Sequence, residues 1–168
     1  LPATGLRFFT VYGPWGRPDM ALYKFTKNID QGSPIDVFNN GHMQRAFTYI
    51  DDAIESVFRV LNKPPVSNIN FYENESDPSK SWAPHKIFNI GNSKCSNLME
   101  YIEEIENKIG KKAIKNLLPL QPGDVPNTSA DTKLLEEYIN YRPRTTIKDG
   151  ISEFINWYLY YKELPTIN

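Results

Sequence analysis

Apolar residues at helical spacing alternate along this chain with short aromatic and β-branched runs, and that alternation confines it to an α/β architecture. Residues 4–11 are apolar and aromatic, as a buried strand requires. Tyr12-Gly13-Pro14-Trp15-Gly16-Arg17-Pro18-Asp19 follows, and its two glycines and two prolines make it a structured loop. The spacing predicts a helix over about residues 20–30, with Leu22, Phe25 and Ile29 on one face and Gly32 at its end. Residues 34–38 and 44–50 read as strands around an Asn39-Asn40-Gly41 turn, so a hairpin-like pair is expected. Asp51 or Asp52 should cap a helix carrying Ile54, Val57, Phe58 and Leu61 at core spacing. Residues 63–85 read as a long surface loop and 86–90 as a strand ended by Gly91-Asn92. Asn97 with Glu100 resembles a capping box, ahead of a helix with Leu98, Ile102, Ile105 and Ile109 that Gly110 closes. A strand at 113–120 and a short helix at 131–139 follow. Thr146 with Asp149 caps a last helix whose face is Ile151, Phe154, Ile155 and Tyr158.

The 168 residues suffice for one sizeable core. Lys plus Arg number 19 and Asp plus Glu 20, so no excess of either sign draws the chain to nucleic acid or to an anionic membrane. A lone Cys95 excludes an internal disulfide and gives no reason to place the chain in an oxidising compartment; a cytoplasmic setting is expected. No uncharged stretch is apolar enough to span a bilayer. The chain starts at Leu1 and enters a strand at once, so a piece of a longer protein is expected.

Several chemistries lack their residues. The nearest approach to a dinucleotide turn, Gly13-Pro14-Trp15-Gly16, is not G-x-G-x-x-G and is crowded by proline. His42 and His85 lie far apart with no cysteine at metal spacing, so no metal site is expected. No nucleophile elbow occurs. Glu103-Glu104 and Glu136-Glu137 read as solvated helix faces.

Three ordered segments carry a resemblance: Leu6-Arg7-Phe8-Phe9-Thr10-Val11-Tyr12-Gly13, Gln44-Arg45-Ala46-Phe47-Thr48-Tyr49-Ile50-Asp51-Asp52 and Gln121-Pro122-Gly123-Asp124-Val125. Together they resemble the C-terminal part of the extended short-chain dehydrogenase/reductase family. The run Gly13-Pro14-Trp15-Gly16-Arg17-Pro18-Asp19-Met20 is similar to that of the UDP-glucuronate 4-epimerases of bacterial capsule and lipopolysaccharide synthesis. Asn89-Ile90-Gly91-Asn92-Ser93 and Thr128-Ser129-Ala130-Asp131-Thr132 agree with it. The resemblance implies the last strands of a Rossmann sheet, near 1–12 and 86–91, joined to a small α/β substrate-binding domain. It also implies that the glycine-rich turn and the catalytic Y-x-x-x-K, which hold NAD and do the chemistry, lie outside this chain. Tyr158 and Lys162 do form a Y-x-x-x-K string, but on the last helix, where an i,i+4 pair is common. No catalytic residue is therefore expected here.

The resemblance further implies roles for individual positions. Arg45 matches an arginine that grips a diphosphate, and Ala46 stands where an Asp commonly follows, so Arg45 is expected to be held less firmly. Phe38 matches an aromatic beside the uracil, with a core position as the alternative. Thr10 and Arg17 match the pair that faces the sugar carboxylate. Tyr12 and Pro14 would shape the nicotinamide side of the cleft. Gln121 and Asp124 match positions near the nucleotide ribose and diphosphate, and Asp124 alternatively fixes the turn at Gly123. The implied activity is NAD-dependent epimerisation of UDP-glucuronate to UDP-galacturonate by a parent enzyme, expected to be a homodimer, with the chain alone inactive. The alternatives are a non-catalytic UDP-sugar-binding module, or a piece of a UDP-sugar decarboxylase or a dTDP-glucose dehydratase.

Overall fold

The computed structural model describes residues 1–71, 79 and 81–164. The elements run β1 (Ala3–Phe8), β2 (Val11–Tyr12), α1 (Ala21–Gln31), β3 (Ile35–Val37), a 3-10 turn (Phe38–Gly41), β4 (Gln44–Arg45), β5 (Thr48–Tyr49) and α2 (Ile50–Leu61). They continue with β6 (His85–Ile90), β7 (Ser96–Asn97), α3 (Leu98–Ile109), β8 (Lys115–Leu117), β9 (Asn127–Thr128), α4 (Lys133–Ile139) and α5 (Ile147–Lys162). The expected α/β class is what forms, with shorter strands than the sequence suggested. Residues 72–78 and 80 of the expected surface loop lie outside the described residues.

Helix boundaries follow local chemistry. Leu22, Phe25 and Ile29 of α1 are buried, and Gly32 ends the helix at φ 70°. Asn97 accepts from the Met99 N–H and so caps α3. Thr146 Oγ1 accepts from the Asp149 N–H at 3.1 Å and donates to its carboxylate at 2.6 Å, which starts α5 as expected. The predicted α5 face, Ile151, Phe154, Ile155 and Tyr158, is buried.

Strand pairing departs from the expectation. Segments 34–38 and 44–50 do not form a hairpin. β3 pairs in parallel with β8, and β4 lies between antiparallel β7 and parallel β9. The reason is in the turn. Asn39, Asn40 and Gly41 all have positive φ (51°, 49° and 82°), one left-handed residue more than a two-residue hairpin turn uses. β5 pairs in parallel with β2, and β1 pairs in parallel with β6 along its whole length.

The second departure is α2. Of Ile54, Val57, Phe58 and Leu61, predicted as its core face, Val57 is half-buried against the second hydrophobic cluster, whereas the other three are 55%, 60% and 75% exposed. Asp52, Ala53, Ser56 and Val60 are buried instead. Neither Asp51 nor Asp52 caps the helix; Tyr49 holds the N-cap position without a side-chain bond. The Asp52 carboxylate instead accepts from Tyr141 Oη at 2.6 Å, the Thr145 N–H at 3.0 Å and the Arg144 N–H at 3.3 Å. Those bonds fix the helix rotation with Asp52 inward, and Ser56 one turn on follows it.

Two hydrophobic clusters result. One gathers β2, β3, α1, α3 and α5 around Tyr12, Phe25, Ile29, Tyr101, Ile102 and Phe154. The other joins β6, α2 and α4 through Phe88, Ile90, Ala53, Val60, Leu135 and Ile139. Buried carboxylates tie elements together. Asp30 at the end of α1 accepts from Lys162 at 2.8 Å and Tyr158 Oη at 3.5 Å, and from Lys111. The Tyr158–Lys162 pair is thus a helix anchor: Tyr158 is 5% exposed, and burial beside Asp30 pushes its hydroxyl up to about 12.

Glu106 on α3 is 4% exposed. Burial alone would raise its pKa, but bonds from Lys112, Lys115 and the Ala113 N–H outweigh burial and bring it from 4.5 down to about 2. A depressed carboxylate stabilises the fold above its unfolded pKa and loses that contribution as pH falls through the folded one. Urea unfolding should therefore lose up to about 3 kcal/mol from this group between pH 4.5 and 2. Glu106→Gln should remove that portion of the pH dependence.

Candidate functional site

The parallel pairing of β2 with β5, continued by the Thr48 N–H donating to the Thr10 carbonyl at 2.9 Å, sets residues 9–13 beside residues 47–50. A cavity of about 530 Å³ opens there. Its wall includes Thr10, Tyr12, Trp15, Arg17, Phe47 and Tyr101. Thr10 is half-buried and Arg17 exposed, so both polar groups stand on a largely aromatic surface.

Tyr12 contributes its ring and no polar group. It is 6% exposed and meets Phe47, Tyr49 and Tyr101 edge to face, at centroid distances of 6.1, 5.7 and 6.1 Å. Its hydroxyl is buried without a hydrogen-bond partner, and burial raises its pKa far above that of a free tyrosine. The ring reaches this depth because α5 has Gly150 at the contact. A Cβ there would lie 2.1 Å from the Tyr12 oxygen.

The turn after Tyr12 carries Arg17. The Gly16 N–H donates to the Gly13 carbonyl at 3.1 Å, and Trp15 between them has φ 63°, uncommon for a bulky residue. Trp15 rests on α5, with ring centroids 5.4 Å from Trp157 and 5.7 Å from Tyr161. Trp157 in turn stacks on Tyr161 at 5.2 Å. Pro14 is half-buried within the turn and is not part of the cavity wall.

Arg45 sits in a second cluster, two residues before Phe47. Its Nη2 donates to Asp124 Oδ1 at 3.0 Å, and its Nη1 donates to the Pro126 and Gln44 carbonyls at 2.9 and 3.0 Å. Only 19% of its side chain is exposed. The expectation of a loosely held Arg45 is therefore corrected. Ala46 is buried and supplies no carboxylate, but Asp124 does so from 79 residues away. Asp124 also accepts from the Val125 N–H at 2.8 Å, and its own N–H bonds the Gln121 carbonyl at 3.1 Å around Gly123. It thus shapes the turn and orients the arginine at once. Gln121 is exposed, and Phe38 is half-buried at the start of the 3-10 turn.

The structure thus brings Thr10, Tyr12 and Arg17 to one cavity and joins Arg45 to Asp124 in a separate cluster. Sequence reading missed Trp15, whose cue was an aromatic between two glycines. It also missed the Arg45–Asp124 bond, for which no local pattern exists. Among the described residues no group of His, Cys, Asp and Glu is placed to hold a metal ion. The cavity wall of Phe8, Phe9, Val11 and Tyr12 suits the face of a flat ring, and the unpartnered Tyr12 hydroxyl is turned into the core. These residues fit the nicotinamide end of a dinucleotide. For its phosphates the described residues offer no glycine-rich turn at a helix start.

Residues 1–72 match the NAD dependent epimerase/dehydratase family. The chain is 55% identical to Protein CapI of Staphylococcus aureus over 164 residues, which is 97% of this chain and 49% of that protein. It is 45% identical to a probable UDP-glucuronate 4-epimerase of Rhizobium meliloti over 94% of this chain and 47% of that protein. The crystal structure of UDP-glucuronic acid 4-epimerase from Bacillus cereus, in complex with UDP-glucuronic acid and NAD, aligns with TM-score 0.77 and 30% identity. That alignment covers 96% of this chain and 46% of the other. The chain spans about half the length of the curated relatives it matches.

The Tyr12–Gly150 contact gives a direct test. Gly150→Ala should lower unfolding free energy by about 2 kcal/mol or more, because the new methyl meets a ring with no room to retreat. Tyr12→Phe, which deletes an unpartnered buried hydroxyl, should leave stability unchanged or raise it by about 1 kcal/mol. Urea melts of both variants check this.

Proposed function

We propose that this chain, whose residues 1–72 match the NAD dependent epimerase/dehydratase family and which is similar to relatives along nearly its whole length, is the nucleotide-sugar-binding part of a UDP-glucuronate 4-epimerase. The observation that carries the reading is the single cavity wall holding both Thr10 and Arg17. The space it encloses is large enough for a sugar ring.

Bound NAD would supply the hydride chemistry at C4 of the sugar, in two steps on opposite faces. The keto sugar formed between those steps is a β-keto acid and tends to lose CO2. Arg17 pairs with the carboxylate and Thr10 donates a hydrogen bond to it, which holds the carboxylate away from the alignment that favours that loss. Arg45 grips the diphosphate. The bonds to Asp124 and Pro126 keep its planar donors pointed in one direction, so little order is lost on binding. Phe38 lies against the uracil, Gln121 lies near the ribose, and Tyr12 shapes the nicotinamide side of the cleft, while Pro14 acts only through the turn that follows it.

The hydride and proton transfers fall to an NAD-binding half in the parent enzyme. Two features of the fold support such a partner. β1 and β6 form a parallel pair with no further strand among the described residues, and parallel sheets are ordinarily covered on both faces. Ile54, Phe58 and Leu61 of α2 present a second apolar stripe to solvent. We place the enzyme in the cytoplasm, in capsule or lipopolysaccharide precursor synthesis, as a possible homodimer. No helix of the described residues is long and apolar enough to cross a membrane.

Calorimetry on the chain with UDP, UDP-glucose and UDP-glucuronate separates the two arginines. Arg45→Ala should weaken all three by at least roughly tenfold, the loss of about 2 kcal/mol from charge-assisted bonds. Arg17→Ala should weaken UDP-glucuronate alone. No binding by the unchanged chain, or equal loss of all three ligands on Arg17→Ala, would overturn the reading.

A further inference from the structure

Arg17 does not meet the cavity with an unused guanidinium. Its Nε–H donates to Asp19 Oδ1 at 3.1 Å and its Nη2 donates to Asp19 Oδ2 at 2.8 Å. Nη2 also lies 3.7 Å from the Met20 sulfur. Two parallel bonds from one guanidinium edge to one carboxylate form the fork by which arginine recognises such groups. A sugar carboxylate that takes this edge competes with Asp19 for it, and one that takes the Nη1–Nη2 edge still meets a guanidinium whose charge Asp19 already balances.

The local backbone makes this pairing an internal choice of the chain. The Met20 N–H donates to the Arg17 carbonyl at 3.1 Å, and that turn brings Asp19 alongside Arg17. On the other side Trp15 is pinned to Trp157 and Tyr161, so the backbone carrying Arg17 is anchored on α5. The Asp19 side chain is 60% exposed and, among the described residues, bonds only to Arg17, so it is the partner able to turn away.

We propose that Asp19 occupies the carboxylate fork of Arg17 in the absence of ligand, is exchanged for the carboxylate of the sugar on binding, and so sets how strongly an acidic sugar is preferred over a neutral one. The proposal rests on the uronate-binding reading of Arg17. A neutral sugar leaves the Arg17–Asp19 pair intact and is indifferent to it. An acidic sugar meets a neutralised pair rather than a lone cation, and displaces Asp19 where it takes the same edge. Both partners are well exposed, at 73% and 60%, so the pair is weak and its release is easy. Asp19 is therefore a positioning residue that lowers the affinity for acidic sugars by a modest factor without blocking the site.

Asp19→Asn keeps the size of the side chain and removes its charge. It should tighten UDP-glucuronate binding by roughly two- to five-fold, the range expected for an exposed ion pair, and leave UDP and UDP-glucose unchanged. Asp19→Glu, which keeps the charge, should restore the original preference toward UDP-glucuronate. Without ligand, the ¹⁵N resonance of Arg17 Nε should move in Asp19→Asn and stay close to its original position in Asp19→Glu. Weaker or unchanged UDP-glucuronate binding by Asp19→Asn, or the same factor for all three ligands, overturns the exchange while leaving the uronate reading standing. Failure of the unchanged chain to prefer UDP-glucuronate over UDP-glucose overturns both.

Discussion

The ring of Tyr12, wedged between three aromatic neighbours and the bare backbone of Gly150, is the contact on which the rest of the site depends. Thr10 lies two residues before it and the Arg17 turn follows it. Seating that ring fixes where both emerge on the cavity wall. Aromatic packing supplies the precision because the pairs have preferred geometries and the rings cannot change shape. The cost is a buried hydroxyl with no partner, accepted because the ring, and not the oxygen, does the positioning.

Charge is managed differently in the core and at the cavity. Asp30, Asp52 and Glu106 are each surrounded by several donors, so each joins elements distant in sequence without leaving a lone charge in a dry place. Arg45 follows the same logic in reverse, with Asp124 and two carbonyls on one guanidinium. Arg17 is the exception. Its one carboxylate partner is two residues away, in solvent, and easily released. An arginine fixed by a distant loop suits a constant part of a ligand, and an arginine with an exchangeable neighbour suits the part that varies.

Much of the fold was legible because local rules and tertiary packing agree. The apolar spacing of α1, α3 and α5, the cap at Thr146 and the glycine stops at 32 and 110 need only nearest-neighbour geometry. Thr10 and Arg17 could be marked from the loop that carries them, but not the cavity they share. Asp19 passed as an ordinary loop residue, because nothing in a string of residues says which carboxylate a nearby guanidinium will choose.

The amino-acid order by itself determined which segments are helix, where they stop and which faces are apolar, since these depend on backbone preference and a period of a few residues. Only the tertiary structure decided that β3 joins β8 rather than β4, because the partner strand lies far along the chain and no local pattern marks it. Only it decided which face of α2 is buried, since the bonds from Tyr141, Arg144 and Thr145 to Asp52 set the rotation of the helix. And only it could place Asp124 on Arg45, a bond across 79 residues that exists because β4 and β9 lie side by side.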